Sequence, residues 1–232
     1  MRKADITENL NRVRERIVTC CRSCGRDSDS VTLLAVSKTK PAEDLRAAFA
    51  AGQRDFGENY LQEALDKQAE LSGLSICWHF IGPLQSNKTR AVAEHFQWLH
   101  TVDRLKIARR LSEQRPAGMA PLNICLQVNI DAEESKSGVA PAELPALARA
   151  VAGLPGLRLR GLMAIPAPRA DAAAQREPFA ALAALLQQLR EELPGAPLDT
   201  LSMGMSGDLE AAIEAGSTMV RVGTDIFGRR DQ

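Results

Sequence analysis

Lys38 closes the run VTLLAVSK (31–38), and a lysine there is the side chain in this sequence best suited to covalent chemistry. If the run is a regular strand, Lys38 shares a face with Leu34 and Val36, while Leu33 and Ala35 take the opposite face. An ammonium set in an apolar mouth loses hydration, its pKa falls, and the free amine can attack a carbonyl carbon. A lysine that snorkels from a strand end is the plainer alternative.

A second constellation offers anion chemistry. Met205-Ser206-Gly207 supplies a hydroxyl and a bare backbone, and Arg221-Val222-Gly223-Thr224 adds a guanidinium, another glycine and another hydroxyl. Taken singly, Ser206 reads equally well as a helix cap and Gly223 as a turn; together they suit a phosphate. Arg221 alternates with Val220 and Val222, which turns the guanidinium inward, where it needs an acceptor: a ligand, or Glu58. Asn59 could hold a ring hydroxyl or cap a helix. His79 could lie near a ring, although a histidine among Trp78, Phe80 and Ile81 also suits a satisfied core position. Cys21 and Cys24 form a C-x-x-C at a helix end with no second ligand pair, so no metal is expected. Neither a nucleophile triad, an HExxH nor a P-loop is present.

Eight short apolar or β-branched runs must position these groups: 31–38, 54–59, 76–82, 97–102, 122–130, 157–165, 199–205 and 218–223. Helical stretches separate them. Pro41 opens one that Gly52 closes, and Ser206 is a candidate N-cap for another that runs through Leu209, Ala212 and Ile213 to Gly216. Near-continuous apolar strands joined by helix-sized connections predict a parallel sheet, and eight such units predict an α/β fold, a (β/α)8 TIM barrel. A doubly wound open sheet would need a Gly-rich first turn that is missing. Lys38 then ends strand one, and the two anion segments follow strands seven and eight, at the barrel face where chemistry gathers. Ile6, Leu10, Val13 and Ile17 predict an extra N-terminal helix ending near Gly25. The expected organisation is one barrel domain over 1–232, with residues 1–25 as a helix packed on it. The segment 165–178, IPAPRADAAAQREP, reads as a surface loop after strand six.

Composition narrows the partners. Lysine plus arginine and aspartate plus glutamate balance at 29 each, which argues against nucleic acid, an anionic membrane or an acidic polymer. The charged start and the lack of a long apolar span predict a cytoplasmic protein, and five cysteines in an uneven spread predict reduced thiols. The balanced charge and the lack of an obvious apolar stripe lean towards a monomer. Roles for Cys20, Cys21 and Cys24 do not emerge.

The strings LLAVSKTKP, AGQRDFGENYLQEA, WHFIGPLQSNK, VNIDAEESKSG, RGLMAIP, SMGMSGDLEAAI and MVRVGTDIFG together resemble the pyridoxal-phosphate homeostasis protein family, from the first helix to the last glycine. The resemblance implies the barrel of alanine racemase, with pyridoxal 5'-phosphate as a Schiff base on Lys38. It also implies a phosphate cradle at Ser206, Gly207, Gly223 and Thr224, adjoined by Met205, and a ring contact at Asn59. Arg221 matches the family's arginine near the pyridine ring, where a donor keeps the ring nitrogen unprotonated and weakens the electron sink.

Three activities fit such a barrel. A racemase needs a second base across the ring, which related racemases take from an added β domain; the chain stops soon after strand eight, and its one tyrosine, Tyr60, starts a barrel helix. A Lys Schiff-base aldolase would need an acid-base pair beside Lys38. A carrier in vitamin B6 balance, holding the cofactor and delivering it to apo-enzymes, needs only the residues present. For such a carrier Lys136, in the polar loop IDAEESKSG after strand five, could relay the aldehyde outward; a solvated surface lysine is the alternative.

Overall fold

A computed structural model of the protein describes residues 3–133 and 137–229. After helix α1 (Lys3–Ser23), strands and helices alternate: β1 (Thr32–Val36), α2 (Ala42–Ala50), β2 (Asp55–Glu58), α3 (Leu61–Glu70), β3 (Cys77–Phe80) and α4 (Thr89–His95). Then come β4 (Trp98–Val102), α5 (Leu105–Gln114), β5 (Leu122–Gln127), α6 (Leu144–Ala152), β6 (Leu157–Met163) and α7 (Ala172–Glu192). The order ends with β7 (Thr200–Ser202), α8 (Leu209–Glu214), β8 (Met219–Val222) and the short α9 (Thr224–Phe227). The strands are parallel and close in sequence order, β8 returning to β1 with Leu34 opposite Arg221. This is the (β/α)8 barrel expected from the eight runs.

Strand parity sorts the side chains as the alternation predicts. Leu34, Ile81, Trp98, Cys125, Met163 and Met219 form the barrel interior, with Val36 and Cys77 against them. Leu33, Ala35, Phe56, Phe80, Leu99, Val220 and Val222 face the helices in the larger outer core. Lys38 therefore follows the inward face of β1. On α1, Ile6, Leu10, Val13 and Ile17 are buried at helical spacing, and the helix lies against α2, α8 and α9.

Two expected boundaries move. Residues 172–178 belong to α7 and not to a loop: Asp171 caps the helix, its side chain accepting from Ala174 N, and the alanines that follow are strong helix formers. Pro178 cannot donate to the carbonyl one turn earlier, but the Arg169 guanidinium takes up that Ala174 oxygen at 3.1 Å. Ser206 does not cap α8. Asp208 precedes that helix, and its carboxylate instead accepts from Met205 N at 2.7 Å, which folds 205–208 into a turn.

Candidate functional site

A buried polar cluster presents Lys38. Beyond β1 the chain turns at Ser37–Lys40, with Lys40 N donating to Ser37 O and Thr39 in the left-handed region at φ 63°. That conformation is unfavourable for a branched residue and needs support. Glu63 on α3 accepts from Thr39 N at 2.6 Å, while Lys67 Nζ donates to Ser37 O at 2.7 Å and to Glu63 at 2.6 Å. Lys67 also meets Glu58 Oε1 at 2.8 Å, which accepts from Ser37 Oγ at 2.6 Å. Burial pushes the Glu58 carboxyl up, against the pull of Lys67 and Ser37.

Glu58 is therefore not the acceptor for Arg221. Gly57 faces the interior, where an added Cβ would meet Ile81 and Leu34 side chains, so its neighbour Glu58 must point outward to α3. Arg221 points inward. Its Nη1 donates to Ser202 Oγ at 2.8 Å and its Nη2 to Ala164 O at 3.0 Å, both neutral acceptors. Burial pulls its pKa down to about 10, which still leaves a cation at neutral pH.

The loops after β7 and β8 lie beside it. Gly204 has a φ of 99°, and a Cβ there would meet Ala212 Cβ at 2.6 Å, so a glycine lets the loop pass tightly over α8. Gly207 has open space on its Cα, which leaves the backbone accessible. Arg16 of α1 ties both loops from behind: its Nη2 donates to Ser206 O at 3.1 Å, its Nε meets Glu210 at 2.8 Å and its Nη1 meets Asp225 at 2.6 Å.

One cavity of about 310 Å³ gathers Lys38, Asn59, Met205, Ser206, Gly207, Arg221, Gly223 and Thr224. The remaining wall is Val36, Ile81 and Ile165. Val36 was implied by the parity of β1, and Ile81 follows inward His79 by the same alternation; Ile165, in the loop after β6, gave no periodic signal. Asn59 does not cap α3, which starts after Tyr60; its side-chain oxygen is buried and unpartnered. Gly82 makes this wall possible, because a Cβ there would strike the Asn59 backbone at 2.2 Å. A second hollow of about 330 Å³ adjoins through Asn59, Ile81 and Ile165.

His79 does not line the cavity. It is a buried core residue, stacked on Trp98 at 5.4 Å and hydrogen-bonded to Asp55 and His100. Among the described residues Asp55, Cys77 and His79 bring metal-ligand atoms within 4.8 Å, but burial raises the Cys77 thiol to about 12 and keeps it protonated. The cysteines are free; burial lifts Cys20 to about 11 and pushes Cys21 up as well, so these two thiols are poor nucleophiles. Lys136 lies outside the described residues.

Comparison with known proteins bears on the family and the barrel. The family model for the alanine racemase N-terminal domain matches residues 5–231. The pyridoxal phosphate homeostasis protein of Pseudomonas aeruginosa is 66% identical over 226 residues, covering 97% of this chain and 96% of the relative. Its namesake in Escherichia coli K12 is 57% identical over 230 residues, covering 98% and 97%. Among solved structures, PipY of Synechococcus elongatus with PLP bound superposes with a TM-score of 0.85 at 40% identity, over 96% of this chain and all of PipY. Alanine racemase of Corynebacterium glutamicum, at 16% identity and a TM-score of 0.68, covers 98% of this chain and 61% of its own, and shares the barrel alone. With its full barrel aligned to these relatives, the chain belongs to the pyridoxal phosphate homeostasis protein family, within the alanine racemase N-terminal domain family.

Proposed function

We propose that the protein binds pyridoxal 5'-phosphate in the 310 Å³ cavity and serves intracellular vitamin B6 homeostasis as a carrier, without racemase activity. The observation that carries this is the lining itself: one amine, one buried guanidinium whose acceptors are neutral, two hydroxyl-bearing glycine loops, and an unpartnered amide oxygen. Each matches a group on the cofactor. Ser206, Gly207, Gly223 and Thr224 suit the phosphate, Asn59 the ring hydroxyl, and Val36, Ile81 and Ile165 the flat apolar ring. The cofactor supplies an aldehyde carbon that the Lys38 amine can attack, forming a carbon–nitrogen double bond as the carbonyl oxygen leaves as water. Arg221 offers only donors, so a ring nitrogen facing it stays an acceptor.

The same lining favours storage over turnover. Lys38 and Arg221 are the only ionisable side chains among the described cavity residues, and Tyr60 is 52% exposed outside the cavity. One amine cannot exchange protons on both faces of a bound amino acid. Among the described residues no helix is long and apolar enough to cross a membrane, and we take the working form to be a cytoplasmic monomer. For release, Lys136, which follows β5 in the sequence, is the relay candidate.

The test compares equilibrium binding of pyridoxal phosphate and pyridoxal, with a racemisation assay on the loaded protein. Preference for the phosphorylated form, and no exchange of the L-alanine α-proton with deuterated solvent, is expected. Equal affinity for both forms overturns the cradle, and sustained exchange overturns the carrier. Transfer to an apo-enzyme that needs pyridoxal phosphate, slower in Lys136→Ala at unchanged affinity, supports the relay; equal rates return Lys136 to an ordinary surface charge.

A further inference from the structure

A hydrogen-bonded chain runs through the barrel interior to Arg221. At the start of β2, Asp55 Oδ1 lies 2.9 Å from His79 Nε2, and its side chain is 29% exposed. His79 Nδ1 lies 2.9 Å from His100 Nε2, and His100 Nδ1 lies 2.7 Å from Ser202 Oγ. Ser202 Oγ accepts from Arg221 Nη1 at 2.8 Å. Both histidines and Ser202 are fully buried. Barrel interiors are ordinarily filled by branched aliphatic side chains, so two imidazoles and a hydroxyl here give up hydrophobic burial and call for a compensating role.

The direction of the chain follows from donor counting. An ionised carboxylate only accepts, so His79 carries its proton on Nε2. Burial pulls the pKa of His79 down and that of His100 well down, so both rings are neutral and each has one donor and one acceptor. His79 Nδ1 must then accept from His100 Nε2–H, and His100 Nδ1 must accept from the Ser202 hydroxyl. That leaves the Ser202 lone pairs for Arg221, which has donors only. Every link is satisfied in one sense, from the guanidinium at the cavity to the carboxylate at the far end of the barrel. With the opposite tautomers, an imidazole lone pair would face the Asp55 carboxylate.

We infer that Asp55, His79, His100 and Ser202 are positioning residues that lock the Arg221 guanidinium in one orientation for the ring of the bound cofactor. The inference rests on the cofactor reading above. Ser202 fixes Nη1 and Ala164 O fixes Nη2, so the plane of the guanidinium is set at two points. The histidines act on the cofactor only through Arg221, since neither lines the cavity.

The experiment has an arm that needs no cofactor. In the unliganded full-length protein, nitrogen-15 NMR is expected to show both His79 and His100 as neutral Nε2–H tautomers, and hindered rotation of the Arg221 Nη groups. Ser202→Ala should free that rotation and raise the dissociation constant for pyridoxal phosphate about ten-fold, shifting the visible absorption band. Ser202→Thr, which keeps the hydroxyl, should restore all three, whereas a merely space-filling role for Ser202 would not move the band. An Nδ1–H tautomer at either histidine, or Ser202→Ala with unchanged Arg221 signals and affinity, overturns the proposal. If the tautomers are as expected but the wild type takes up no pyridoxal phosphate, the cofactor reading fails, and the positioning role falls with it while the polarity of the chain stands.

Discussion

Arg221 is where the chemistry of single residues is most exposed to test. A broken buried ion pair costs on the order of 3–5 kcal/mol because a charge is stranded, whereas Arg221 leaves behind only a hydroxyl and a carbonyl oxygen. Arg221→Ala should therefore cost about 1–3 kcal/mol of stability, partly offset by relief of a buried charge, and should weaken pyridoxal phosphate binding. Chemical denaturation and a binding titration read the two effects; unchanged values in both would place the side chain out of contact with the site. The inward direction of Arg221 and Lys38 was legible from the alternation of β8 and β1. Their partners were not. Which strand neighbour supplies an acceptor depends on register between strands far apart in sequence, such as Ser202 opposite Met219, and local periodicity carries no record of it.

Elements were legible where hydrophobic period and punctuation agreed, as in α1, α2 and the eight strands. They were obscured where a side chain from elsewhere rescued an unfavourable residue. Pro178 reads as a helix breaker until Arg169 is seen on the orphaned carbonyl, and Ser206 reads as a cap until Asp208 takes over the turn. The same long-range logic ties α1 to the loops after β7 and β8. Its apolar stripe anchors it to the barrel, and Arg16 reaches from it to the backbone of the Ser206 loop and to acidic groups beside both cradle loops. Arg16 is about one-third exposed, so its ion pairs add roughly 0–1 kcal/mol to global stability. Arg16→Ala is thus expected to leave the melting temperature within a few degrees of wild type while weakening binding of pyridoxal phosphate several-fold more than binding of unphosphorylated pyridoxal. Equal losses for the two ligands would show that α1 does not support the phosphate loops.

The molecule as a whole should record its buried histidines in its acid sensitivity. His79 and His100 titrate below their ordinary 6.5 in the folded state, so as the pH falls through about 6.5 the unfolded chain takes up protons that the folded chain refuses. Stability is therefore full above that value and falls below it, with a limiting slope of about 1.4 kcal/mol per pH unit for each histidine. His100→Gln should lower the slope between pH 6.5 and 5 in denaturation curves; an unchanged slope would mean that His100 is protonated or exposed in the folded state. The central claim is that Lys38 carries pyridoxal phosphate, and borohydride reduction of the loaded protein followed by peptide mass mapping tests it most directly. A single phosphopyridoxyl group on the peptide containing Lys38, lost in Lys38→Ala with weaker non-covalent binding retained, is the predicted result. A principal adduct on any other lysine, or none at all, would contradict it.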